Sequence, residues 1–302
     1  MSVRRSQGFT LIELMVVVTI TAIVTGYILS IFAGQVLSYE GQRAAVETQD
    51  DARLASDLIF HDLRMAGFML PPQTGVSGGD GGVGNSDRLC VSDPTVFDEN
   101  QIDLATGRFE GASLQSDPGA IADTVDITAG DLDIDGDGTD DFSVGSGIII
   151  AEGTTTHCGR IEAIAGDSIR FTPDTPAGFT VAALNARAVP AIVYEQDANG
   201  LTRNNLLVSQ KIEDLQVEFG VDANADGQLV EPAEFPLHGL SGNDPALLRL
   251  IRLSVLTRTV REDPQLPNGS GRPAVANRNA SGTPDAFRRR LITASAAPRN
   301  LL

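Results

Sequence analysis

Apolar side chains fill the first helix-length stretch of the chain almost without a break. From Phe9 to Ala33 the one charged side chain is Glu13, among Leu, Ile, Val, Met, Ala and Thr. At ~1.5 Å per residue the run predicts a helix roughly 37 Å long, enough to cross a hydrocarbon core of about 30 Å. From Gln35 to about Phe68 the pattern becomes two-sided. Ala44, Ala45, Ala52, Leu54, Ala55, Leu58, Ile59, Leu63 and Ala66 recur at helical spacings, while Arg43, Glu47, Asp50, Asp51, Arg53, Asp57 and Asp62 fill the other side. Pro71-Pro72 reads as the stop. Gly26, Gly34 and Gly41, each about 1 kcal/mol worse than Ala, are places for a bend. The expectation is one long, kinked helix: a membrane segment over 9–34, then an amphipathic half over 35–70.

Beyond the prolines the period shortens to two. Residues 73–86 are Gly-rich and read as a loop. Gly79-x-Gly81-x-x-Gly84 within it matches a dinucleotide fingerprint in form only, since no strand precedes it and no helix pattern follows. Strand candidates are 87–91, 124–128, 147–151, 160–165, 168–172, 191–196 and 201–204, with hairpin turns at Gly166-Asp167 and Asn199-Gly200. Leu215, Val217 and Phe219 alternate with Gln216 and Glu218; Ile251, Leu253, Val255 and Thr257 alternate with Arg252, Ser254 and Arg258. Residues 262–285, rich in Pro, Asn, Gly and Ser, read as an exposed loop before a last strand over 287–295. Strands without intervening helices predict an antiparallel sheet. The fold class is therefore α+β: a long N-terminal helix packed on a β-rich head over 71–302, with large loop insertions.

Charge narrows the partners. The 302 residues carry 40 acidic and 22 basic side chains, net −18; losing Arg4 and Arg5 with a leader leaves 20 basic and a net −20. That balance argues against a nucleic-acid or anionic-membrane surface on the head. Lys211 is the sole lysine and Trp is absent. Before the apolar run stand Arg4, Arg5, Ser6 and Gln7, a basic segment that stays cytoplasmic. A secretory signal peptide places small residues after its apolar core. Here the small residue, Gly8, comes before it.

Gly8-Phe9-Thr10-Leu11-Ile12-Glu13-Leu14 behind a basic leader resembles the class III signal of type IV pilins and their relatives. The resemblance implies cleavage by prepilin peptidase after Gly8, N-methylation of Phe9 and a 1–8 leader that is lost. Glu13 then becomes the fifth mature residue. A carboxylate at that depth in lipid needs a partner; the family supplies the amine of the neighbouring subunit's first residue. Two further stretches are similar to PilW-type minor pilins: His61-Asp62-Leu63-Arg64-Met65-Ala66-Gly67-Phe68, and Gln210 to Asp222 followed by Asp226-Gly227, with closing strands over 250–258 and 288–300. Residues 73–185 fall outside the resemblance and read as an enlargement. Asp62 and Arg64 read as solvated or cap-forming, and His61 as a surface or packing residue.

The resemblance implies a minor pilin that is held in the inner membrane by a single pass, its head periplasmic, and later joins the pilus. Its partners would be other minor pilins and the major pilin, through the N-terminal helix, near the tip of the filament. A J-type minor pseudopilin of type II secretion shares the signal and helix; a pilus-borne adhesin or ligand-binding head is the alternative of a different class.

Two acidic loops offer metal chemistry. Asp133-x-Asp135-x-Asp137-Gly138 and Asp222-x-Asn224-x-Asp226-Gly227 share the opening of a Ca²⁺ loop, with oxygens at positions 1, 3 and 5 and a Gly for the turn. Position 12 is Val144 or Ala233, so later acids would have to serve: Asp140 or Asp141 in the first, Glu231 or Glu234 in the second. Solvated Asp-Gly turns are the other reading. Cys90 and Cys158 lie on the exported side of the membrane segment, where a disulfide between them is expected; two separate buried thiols are the alternative. No G-x-S-x-G, H-E-x-x-H or P-loop is present, and the three histidines are far apart. The expectation is no enzyme.

Overall fold

The computed structural model describes residues 10–98, 102, 107–182, 185–240, 242–263, 266, 269 and 271–300. The chain divides into two compact units, Met1–Glu47 and Thr48–Leu302.

One helix, α1 (Leu11–Met65), runs for 55 residues without a break, passing through Gly26, Gly34 and Gly41. No proline interrupts its hydrogen bonds. It ends earlier than the prolines suggest. Gly67 adopts φ 71°, a left-handed conformation that closes helices, and Phe68 N–H turns back to the Met65 carbonyl at 3.0 Å. Gly67 N–H is then taken by Ser92 Oγ at 2.8 Å. The stop is therefore Gly67, four residues before Pro71.

Thirteen strands follow among the described residues: β1 (Val76–Gly79), β2 (Arg88–Ser92), β3 (Ala112–Ser113), β4 (Thr124–Asp126), β5 (Gly147–Glu152), β6 (Thr155–Ala165), β7 (Ser168–Thr172), β8 (Arg187–Asp197), β9 (Gly200–Arg203), β10 (Leu206–Ser209), β11 (Ile212–Val221), β12 (Leu248–Arg258) and β13 (Arg289–Ala296). The long N-terminal helix followed by antiparallel sheet makes the fold α+β, as the pattern predicts. β1 was hidden by its glycines. Gly78 is required there because a Cβ would sit 2.5 Å from the Phe219 ring, so packing rather than a turn selects the residue.

Ten strands form one antiparallel sheet with the path β1-β2-β8-β5-β6-β7-β4, from which β3, β9 and β10 branch. Within 73–185, β2, β3 and β5 thus pair directly with β8. The sheet is strongly curled. Two strands, β8 and β5, separate β2 from β6, so a flat sheet would hold them roughly 14 Å apart at about 4.8 Å per strand. Yet Cys90 on β2 and Cys158 on β6 are disulfide-bonded with their Cα atoms 5.7 Å apart, and Ser77 on β1 meets Thr156 on β6 at 3.2 Å. Ile149, Ala151, Val189, Ala191 and Val193 fill the space inside the curl beside the disulfide.

The second sheet is β11-β12-β13. Its Leu215, Val217, Phe219, Ile251, Leu253 and Val255 form one core with Ala55, Ile59 and Leu63 of α1 and with Leu89, Val91, Ile192 and Tyr194 of the larger sheet. The opposite face is buried too. Glu218 takes two hydrogen bonds from Arg252, at 2.7 and 2.8 Å, whose guanidinium lies over Phe235. The segment read as an exposed loop, 262–285, keeps many of its described residues exposed but is tied to the sheet by two arginines. Its Arg278 and Arg272 reach the fully buried Asp214, at 2.7 and 3.4 Å, because that carboxylate needs cationic partners away from water.

Candidate functional sites

The start of α1 builds the first site. Thr10 N–H and Thr10 Oγ1–H both donate to Glu13 Oε2 at 2.9 Å, and Glu13 N–H returns a bond to Thr10 Oγ1 at 3.3 Å. This is a capping box: two groups that a helix start leaves unsatisfied are paired reciprocally. The Thr-x-x-Glu spacing of Thr10 and Glu13 is the sequence signature of such a box. Gly8 and Phe9 lie outside the described residues. From Leu11 to Leu37 the large apolar side chains all around the helix are exposed, Leu11 by 77% and Phe32 by 64%. A helix whose apolar side chains are exposed on every side matches a membrane span by length and composition.

Further along α1 the polar stripe conceals a buried contact. Asp62, expected in solvent or at a cap, is 5% exposed. Its Oδ2 accepts from Tyr194 OH at 2.6 Å and from Arg203 Nε at 2.8 Å. Burial opposes its charge, but the hydrogen bonds from Arg203 and Tyr194 outweigh burial and hold the carboxyl below its ordinary value. Asp62 therefore ties the helix to β8 and β9. His61 beside it is exposed.

In the first acidic loop, ligand oxygens of Asp133, Asp135 and Asp141 lie within 4.8 Å of one another, a group able to hold a cation. Asp133 accepts from the N–H groups of Gly136, Asp137 and Gly138, and Asp141 from Ile134 N–H. Burial pushes Asp141 up to about 7, with the charges of Asp135 and Asp133 adding to the effect. Asp137, expected as a ligand, is not in the group: its Oδ1 accepts from Thr139 N–H at 2.7 Å. Asp141 supplies the third carboxylate in its place. A cleft of about 440 Å³ lined by Arg108, Glu110, Ser113, Asp131 and Asp133 opens beside the loop.

The second loop repeats the turn with a different counter-charge. Asp222 accepts from Asp226 and Gly227 N–H, Asn224 from Asp226 N–H, and Glu234 from Ala223 and Val230 N–H. Arg249 Nε stands 3.5 Å from Asp222 Oδ2, so a cation of the chain's own already faces the fully buried carboxylate. Among the described residues, no metal-sized group forms there.

With this geometry in view, the comparison with known families gives one finding. Residues 3–29 match the family model of the prokaryotic N-terminal methylation motif. The chain thus carries a type IV pilin-like N-terminal signal. No curated protein and no solved structure matches it. The motif carries with it processing by prepilin peptidase and assembly with other pilin-type subunits, and with the apolar α1 it fits a membrane-anchored subunit that later enters a filament.

Proposed function

We propose that this chain is a minor pilin of the PilW-like kind, a structural subunit that helps to prime a type IV filament at or near its tip. One observation carries the reading: a methylation motif leads directly into a helix half whose large apolar side chains are exposed on every side. Lipid covers that surface in the stored subunit, and neighbouring pilin helices cover it in the filament. Glu13 sits at the depth where a neighbour's N-terminal amine would meet it. The capping box explains how the carboxylate is tolerated before assembly, since Thr10 already supplies it with donors. Binding a second subunit then exchanges those donors for a full positive charge. The first acidic loop is proposed to take Ca²⁺ through Asp133, Asp135 and Asp141, and to stiffen the head.

The test is processing. Gly8→Val should block cleavage and leave the leader attached, because a side chain keeps the peptidase from the backbone. Mass spectrometry of the N-terminus reads the outcome; an N-methylated Phe9 released from the variant would remove the basis of the reading. A minor pseudopilin of type II secretion rests on the same observations, and deleting the chain separates the two: loss of surface pili supports the first, loss of secretion with normal piliation the second.

A further inference from the structure

The three-stranded sheet has two edges, and the chain treats them differently. Along β11 the outer edge is used up. Leu215 carbonyl accepts from Asp87 N–H at 2.8 Å, Val217 N–H donates to Asp87 Oδ2, Phe219 exchanges both of its backbone bonds with Leu237, and Val221 N–H donates to the Glu234 carbonyl. Along β13 nothing comparable happens. Its eight residues pair with β12 in unbroken register from Arg258↔Arg289 to Ile251↔Ala296, and among the described residues no other backbone group bonds its second edge.

Soluble proteins protect such edges with short strands, bulges, prolines or charges. The other sheet does so: β4 has three residues, β10 has four and a register shift, and β1 ends beside β6. In β13 the run Leu291-Ile292-Thr293-Ala294-Ser295-Ala296 has no charge, proline or bulge, and Leu291 is 44% exposed. Cations gather at its start. Arg288 is paired with Asp263, and Arg289 with Glu213 and Asp285, whereas Arg290 and nearby Arg261 are exposed without an acidic partner among the described residues. In a chain with 40 acidic and 22 basic side chains, Arg290 and Arg261 against the neighbouring exposed Glu262 leave this corner slightly basic.

We propose that β13 is a docking edge that receives an extended, acidic strand from a neighbouring pilin-type subunit by β-strand addition. Main-chain bonds along 291–296 would give the affinity, and Arg290 would set the register through a carboxylate on the incoming strand. A second copy of this chain offering its own β13 would bring the same arginines and lacks that complement. The proposal rests on the filament-subunit reading above, but concerns a surface of the head.

The experiment uses the full chain in cells that build the filament, with a benzophenone-bearing residue in place of Thr293 and, as control, in place of the exposed Val144. The probes are the other pilin-type subunits of the same cell, each separately tagged. Ultraviolet light should link position 293 to one of them and position 144 to none, and Arg290→Glu should strongly reduce the adduct. No adduct, an equal adduct from 144, an adduct with a second copy only, or one that Arg290→Glu leaves undiminished would each overturn the proposal. Methylated Phe9 measured in the same sample shows whether the subunit was processed, so an absent adduct there counts against the edge and not against the pilin reading.

Discussion

Leu29 and Leu63 belong to the same helix and share a side chain, yet one is 63% exposed and the other 1%. From Leu11 to Leu37 the helix presents exposed apolar groups on every side. From Thr48 onward, Ala55, Ile59 and Leu63 form one stripe in the head's main core, Ala52 is buried as well, and most of the exposed positions are polar. The contrast teaches that helicity and fold stability are separate properties here. The first half is written for a second environment, lipid or neighbouring helices; the second half is written for its own sheet. Changes in the first should appear in assembly and be silent in head stability, and changes in the second should do the reverse.

The largest effect should come from Glu13. Glu13→Ala is expected to insert in the membrane as well as the parent or better, since it removes a charge from lipid, and to fall out of the assembled complex. Pull-down with other pilin-type subunits reads the loss, and the melting temperature of the head should not move. Normal incorporation would mean that the carboxylate has no intermolecular partner.

The comparison sharpens with a matched pair. Leu63→Ala should lower stability by about 2–5 kcal/mol, the range for emptying a packed leucine site, because Leu63 is buried in the core it shares with Leu215, Val217 and the apolar residues of the larger sheet. Leu29→Ala, made in the same detergent-solubilised chain, should leave head melting unchanged. If both variants melt alike, the two halves do not differ as the burial pattern says.

The sequence reveals this contrast because it is local: a helix's stripe, or lack of one, is spelled out within three or four turns. Locally alternating strands such as β7, β11 and β12 were legible for the same reason. What was lost depends on contacts between distant residues. Asp62 looks like any acid on a polar helix face, and only Arg203 and Tyr194, more than 130 positions away, make it a buried tie. The strand path β2-β8-β5-β6 and its curl follow from pairings that no local pattern encodes. At the sites, the Asp-x-Asp-x-Asp-Gly spacing located the first loop, and Asp141 was among the acids considered. The spacing alone did not say that Asp137 would turn to its own backbone, nor that Arg249 would face Asp222. At the helix start the motif marks Glu13 as an intermolecular partner, while the capping role of Thr10, although equally local, emerges from the structure.

The smallest effect separates the two acidic loops, both outside the helix but in the unit its second half stabilises. Three carboxylate oxygens of Asp133, Asp135 and Asp141 within 4.8 Å repel one another until a cation joins them. In the second loop Arg249 already supplies positive charge to Asp222, so a metal there has less repulsion to relieve and a guanidinium to displace. Ca²⁺ should therefore raise head melting through the first loop more strongly than through the second. At ~100 times the dissociation constant the gain is roughly 2.7 kcal/mol if only the folded form binds. Mg²⁺ should substitute poorly, because it demands a small octahedral shell and gives up water reluctantly. Melting in EGTA against millimolar Ca²⁺ measures the gain, with Asp135→Asn expected to abolish most of it and Asp226→Asn to leave most of it. Equal melting of the parent with and without Ca²⁺ would make both loops ordinary Asp-Gly turns. A gain lost in Asp226→Asn but kept in Asp135→Asn would place the ion in the loop that Arg249 guards and reverse the assignment.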